Sequence, residues 1–203
     1  VFIDAGVDDY EQMLADLDLQ QADGRHIEIH LLDSHTDGVE QIAQILSARQ
    51  DINAVHILSH GAVGQIQLGS GTLSTDSLDD YARQLNDWGV ALADSGDILI
   101  YGCDLAADEQ GRALVDTIRI LTGADVAASV DPTGHAAQGG DWDLEYRAGV
   151  VETTSFTGGI VQDWQGTLVN TAPVLDPIGD KSVDELATLS FTATASDADL
   201  PAD

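Results

Sequence analysis

The chain has 203 residues, 43% of them hydrophobic, and a formal net charge of −29 from 36 acids against seven Lys and Arg. That apolar share supports a core, so the charge does not imply global disorder. The acidity does exclude nucleic acid and anionic membrane as partners. No run of about 18 apolar residues is present to span a bilayer, and a single cysteine excludes an internal disulfide. The length suggests one ordinary domain plus something smaller. A saline or calcium-rich exterior suits such a surface, because cations screen its self-repulsion. The chain starts at Val1 with no signal peptide, as expected of a piece excised from a longer protein.

Val1 to Gly6 reads as a strand. A helix follows from Asp8, with Tyr10, Met13, Leu14 and Leu17 on one face. His26 to Leu32 reads as a second strand, and Asp37 opens a helix with Val39, Ile42, Ile45 and Leu46 inward. Ala54 to Ser59 is a third strand. Gly64 to Ser74 reads as a hairpin by its alternation and its Gly-Ser-Gly turn. Ser74 to Asp76 supplies helix-capping chemistry, and Leu78, Tyr81, Leu85, Trp88 and Leu92 recur at helical spacing. Ile98 to Tyr101 is a fourth core strand. A helix carrying Leu114, Ile118 and Leu121 then runs to Gly123, and Val126 to Ser129 is a short fifth strand. Strands alternating with helices predict an α/β fold with a mostly parallel sheet covered on both faces.

The remainder to about Leu168, including Gly139-Gly140-Asp141-Trp142-Asp143-Leu144, reads as added β-structure and turns. The texture changes at Asn170-Thr171-Ala172-Pro173, a linker. Val183 to Thr194 is β-prone, with Leu189, Phe191 and Ala193 alternating against Ser190, Thr192 and Thr194. Two regions are therefore expected: residues 1–168 as an α/β domain, and 169–203 as a linker with the beginning of an all-β domain. Too few residues remain to complete a sandwich.

Two strand ends carry the chemistry. Ala54-Val55-His56-Ile57-Leu58 leads into Ser59-His60-Gly61, and Ile98-Leu99-Ile100-Tyr101 leads into Gly102-Cys103-Asp104. Catalytic groups in an open parallel sheet gather beyond the carboxyl ends of its strands. An imidazole beside a thiol is the minimum equipment of a cysteine nucleophile and its base. The bland alternative for Cys103 is a small buried hydrophobe, and for His60 a locally bonded polar residue. A reactive thiol needs its pKa lowered, which a neighbouring imidazolium or the helix beginning near Asp108 would do and Asp104 would oppose. His30 and His56 are expected to be buried and hydrogen-bonded. His26 and His35 are expected to face solvent, and His135 is assigned no role. A zinc site is not expected, since His56 and His60 lie about 13 Å apart along a strand. Trp142 reads as packing in preference to recognition.

Ser59-His60-Gly61 and Tyr101-Gly102-Cys103 resemble the caspase-like superfamily of cysteine peptidases: caspases, legumains, clostripain, gingipains and CHAT domains. The spacing is similar to the roughly 50 residues of caspases, although Gly102-Cys103-Asp104-Leu105-Ala106 replaces their Gln-Ala-Cys-Arg-Gly string. A closer likeness is to an uncharacterised bacterial domain family near the start of very large surface or secreted repeat proteins. That family shares the Ser-His-Gly, Tyr-Gly-Cys and Gly-Gly-Asp-Trp-Asp-Leu elements. The resemblance implies a caspase-like sheet flanked by helices, and Cys103 and His60 as a catalytic pair without a cofactor. It also implies that the Gly61 and Cys103 N–H groups hold an oxyanion, with a polypeptide substrate that includes the parent chain.

The tail resembles cadherin-like and Ig-like repeats of bacterial adhesins at Asn170 to Leu175, Asp184-Glu185 and Asp197-Ala198-Asp199. This implies Ca²⁺ ligation by Asp184, Glu185, Asp197 and Asp199, and a secreted or cell-surface location. The expectation is a monomeric domain of a multidomain protein, acting as a cysteine endopeptidase. The alternative is a non-catalytic head module of a calcium-dependent adhesin. The few cations after Cys103 within residues 1–168 (Arg112, Arg119, Arg147), against Asp104, Asp131, Asp141 and Asp143, predict a basic or small neutral residue before the scissile bond.

Overall fold

A computed structural model describes residues 1–22, 26–156, 163–197 and 199. Its elements run β1 (Phe2–Asp4), α1 (Tyr10–Ala22), β2 (His30–Leu32), α2 (Gly38–Leu46), β3 (Ile52–Leu58), β4 (Gly61–Ala62), β5 (Gln65–Leu68), β6 (Gly71–Ser74) and α3 (Leu78–Ala91). β7 (Leu92–Tyr101), α4 (Glu109–Thr122), β8 (Asp125–Ala128) and β9 (Tyr146–Ala148) follow, with β10 (Val174–Leu175) and β11 (Ala195–Ser196) in the tail. Six strands form a sheet in the order β2-β1-β3-β7-β8-β9, parallel throughout except for β9. The fold is α/β with a mostly parallel sheet flanked by helices.

Alternation along the central strands feeds two cores. Phe2, Val55, Ile57, Ile98, Ile100, Val126 and Ala128 point to one face, where Val39, Ile42 and Leu46 of α2, Leu85 and Trp88 of α3 and Leu114 and Ile118 of α4 cover them. Ile3, Leu58, Leu99, Tyr101 and Ala127 point to the other, against Met13 and Leu17 of α1 and Trp142, Leu144, Phe156, Trp164 and Leu168. This period of two places Cys103 in the second core, two residues beyond Tyr101. Asp37 and Asp108 accept the N–H groups of Glu40 and Gly111, and Gly123 closes α4 in the left-handed region at φ 75°; α3 instead starts after Ser77, which makes no side-chain cap bond, and not after Ser74 to Asp76.

Three expectations are corrected. The second strand covers His30–Leu32 alone, and its position at the sheet edge leaves His30 only half-buried, beside Glu28 and Arg49. β7 begins six residues earlier than its apolar run, through Leu92 to Asp97. No strand forms over Val183 to Thr194, and Val183, Leu189 and Phe191 are exposed. Apolar alternation specifies a strand only when a partner buries one face, and here the tail pairs just β10 with β11. Ala198 and residues 200–203 of the expected repeat lie outside the described residues.

Candidate active site

β3 and β7 pair in parallel with Leu58 opposite Tyr101, and the Ser59 N–H continues the ladder to the Tyr101 carbonyl at 3.1 Å. Continued for two residues, that register sets His60 level with Cys103. Glycine permits the approach of the two loops: a Cβ on Gly61 would lie 2.6 Å from the Gly102 carbonyl carbon and 2.9 Å from the Cys103 nitrogen. His60 is fixed further by β5, whose Gln67 N–H donates to the His60 carbonyl at 3.0 Å.

The N–H groups of Gly61 and Cys103 converge on one acceptor, the Leu168 carbonyl oxygen, at 2.9 and 3.4 Å. These are the two donors expected to hold an oxyanion, and a carbonyl of the same chain occupies them. Residues 166–170 run extended across the sheet end. The Leu168 N–H donates to the Thr133 carbonyl (2.9 Å), the Asn170 N–H to the Gly61 carbonyl (3.0 Å) and the His135 N–H to the Gly166 carbonyl (2.9 Å). Leu168 is fully buried, whereas Val169 is 41% exposed.

The Cys103 sulfur is fully buried. Its S–H donates to the Thr133 carbonyl at 3.4 Å, and it accepts the Thr133 N–H at 3.1 Å. The thiol and the Leu168 amide thus share the Thr133 oxygen as acceptor. Burial, chiefly, pushes the thiol pKa up to about 11, and the Asp104 carboxylate adds to the rise. The N–H groups of Thr133, Leu168 and Cys103 itself pull the other way. The expected lowering does not occur, because desolvation outweighs every nearby group that favours the thiolate.

His60 is buried, with Nδ1 3.1 Å from the Val169 carbonyl oxygen and Nε2 3.2 Å from that of Gly6. Both neighbours accept only, so a neutral ring donates to one of them and an imidazolium to both. The ring makes no hydrogen bond to the sulfur. Asp199 Oδ1 lies 3.9 Å from Nε2. Asp4, the last residue of β1, is buried nearby. Its two oxygens accept the N–H groups of Gly6 (2.8 Å) and Gly69 (2.5 Å), and burial raises its pKa against those bonds and the nearby His60. Polar residues line a cavity of about 240 Å³ beside the ring, among them His60, Gln65, Gln67, Asn170 and Asp197. A larger cavity of about 590 Å³ lies along β1 and the start of β3, lined by Val1, Arg49 and His56, and reaches neither His60 nor Cys103.

The tail acids are not brought together as a ligand set. Asp184 and Glu185 are exposed, Asp197 Oδ1 accepts the Asp199 N–H at 2.9 Å, and the Asp199 carboxylate accepts the N–H and hydroxyl of Thr171. Among the described residues, three-carboxylate groupings occur instead at Asp97, Asp125 and Glu152 and at Asp131, Asp141 and Glu145. His56, expected to be buried, is half-buried: it stacks with Tyr101 and meets Phe156 at a tilt, while His26 and His35 are exposed. His135 Nδ1 accepts the Ala137 N–H, and Trp142 packs edge-on to Trp164 as core. Arg112 lies over Tyr146 and Arg119 pairs with Asp125, away from the thiol.

Residues 1–168 match a family described as a domain of unknown function, DUF4347. The chain belongs to that family. No curated protein and no solved structure matches it.

Proposed function

We propose that this DUF4347 domain is a cysteine endopeptidase with a caspase-like arrangement, in which Cys103 is the nucleophile and His60 the proton carrier. One observation carries the reading: two backbone N–H groups, one from the residue after His60 and one from Cys103 itself, converge on a single peptide carbonyl oxygen. A pair of fixed donors beside a thiol is what a tetrahedral oxyanion needs. His60 would take the thiol proton and return it to the leaving amine. No cofactor enters this chemistry.

The test is Cys103-dependent peptide-bond cleavage. Purified chain is incubated with a quenched fluorescent peptide library, with and without Ca²⁺, and the Cys103→Ala variant is run in parallel. Equal turnover by both would remove Cys103 from the mechanism.

A second reading, a non-catalytic head module, draws on the complete burial of the thiol and its raised pKa. It predicts no turnover in any arm. Both readings place the chain in a secreted or surface bacterial protein. Its net charge of −29 and its exposed acidic tail support that setting, in which Asp184, Glu185, Asp197 and Asp199 would have to rearrange to ligate Ca²⁺ in a cadherin-like or Ig-like repeat.

A further inference from the structure

We propose that the bond this site cuts is its own Leu168–Val169 peptide, in cis. The proposal rests on the peptidase reading and supplies its substrate. The Leu168 carbonyl already lies in the pair of N–H groups that stabilise an oxyanion, and the strand carrying it is bridged on both sides, to Gly61 and to Gly134. Holding a reacting carbonyl in this way replaces a bimolecular encounter with a fixed geometry. The Cys103 thiol and the Leu168 amide meet at one oxygen, that of Thr133.

The two sides of the bond differ as an acyl and a leaving group should. Leu168 is fully buried in the cluster of Tyr101, Trp142, Trp164 and Cys103, so the acyl side is anchored in an apolar pocket. The proposal thus departs from the expectation of a basic or small neutral residue before the cut, because the side chain at position 168 packs in an apolar cluster. Val169 is part-exposed with its carbonyl on His60, and most of residues 170–197 are exposed. The bridge to Gly61 uses the Leu168 carbonyl and the Asn170 N–H, which leaves the Val169 nitrogen, the atom that must gain a proton, outside that pairing. The cut falls at the last residue matched to the family.

His60 Nδ1 exchanges the Val169 carbonyl for the thiol and takes its proton as Sγ bonds to the Leu168 carbonyl carbon. The oxyanion forms between the Gly61 and Cys103 N–H groups. It collapses with cleavage of the C–N bond, and His60 protonates the Val169 amine. Water from the cavity beside His60 then attacks the thioester, releasing the Leu168 carboxylate and restoring the thiol.

The experiment follows the freshly purified 203-residue chain by denaturing intact mass and N-terminal sequencing, with Ca²⁺ or with chelator. Expected are fragments 1–168 and 169–203 with a new N-terminus at Val169. None should form from Cys103→Ala, and Leu168→Val, one methylene shorter in an apolar pocket, should slow the cut about tenfold or more. Circular dichroism melts of both variants establish that they are folded. A Cys103-dependent new N-terminus elsewhere overturns the assignment and leaves the peptidase reading standing, as does an uncut chain that hydrolyses the peptide library. No cut and no turnover overturns both.

Discussion

The thiol of Cys103 offers a prediction whose size comes directly from its surroundings. With its pKa pushed from 9.0 to about 11, mainly by burial, the thiolate fraction at pH 8 falls from about 0.1 to about 0.001. Alkylation proceeds through the thiolate, so iodoacetamide should label the native chain about 100-fold more slowly than the urea-unfolded chain at that pH. Labelling is read by intact mass from pH 7 to 11, and the native rate should still be rising at pH 10. The sign of the linked stability follows. The folded state keeps the proton that the unfolded thiol loses, so the contribution is full below pH 9 and disappears as pH rises to about 11. Its ceiling is about 2–3 kcal/mol, from two pKa units. Urea midpoints of wild type and Cys103→Ala should therefore converge over that window. Native labelling at pH 8 within threefold of the unfolded rate would refute the reasoning, and would mean a thiolate is already present. The slow rate is common to both functional readings; under the peptidase reading it requires that deprotonation accompany attack on a carbonyl already in place.

The remaining predictions concern the supports of the site. Gly61→Ala should abolish Cys103-dependent cleavage and lower stability by about 1–3 kcal/mol, because its Cβ meets the Gly102–Cys103 backbone; an unchanged melting temperature would refute this close packing. Leu168→Ala should cost about 2–5 kcal/mol in urea unfolding as a buried large-to-small change, and a loss below 1 kcal/mol would show that the strand is not docked. Amides of Val183 to Thr194 should exchange close to unprotected rates while those of β3 and β7 are strongly protected; protection across the former would show a docked tail. Lys181 is the only lysine and is exposed, so endoproteinase Lys-C should cut the native chain there, and Ca²⁺ should slow the cut if the tail acids bind it.

How far the sequence discloses the site depends on which atoms do the work. β3 and β7 are legible because each is a local apolar run, and His60-Gly61 and Gly102-Cys103 are legible because they stand where such runs end. Parallel pairing then brings them level, and Gly61 is required because two backbones meet there. The start of β7 has no apolar run to mark it, because Ala93 to Gly96 fall at an irregularity of the pairing with β3. The alternation of Leu189, Phe191 and Ala193 misled because no second sheet buries it. The Leu168 carbonyl has no side-chain signature, and its donors, Gly61 and Cys103, stand far from it in the chain. What the sequence does contain is a linker beginning two residues later, at Asn170. Under the proposed reading, the linker and the scissile bond are one feature, because residues 166–170 pair beside both Gly61 and the Cys103 thiol. The burial that depresses the reactivity of Cys103 and the docking that would supply its substrate have the same cause. A variant that loosens residues 166–170 should therefore speed alkylation of the thiol and slow cleavage of the chain together, and a change in one without the other would separate them.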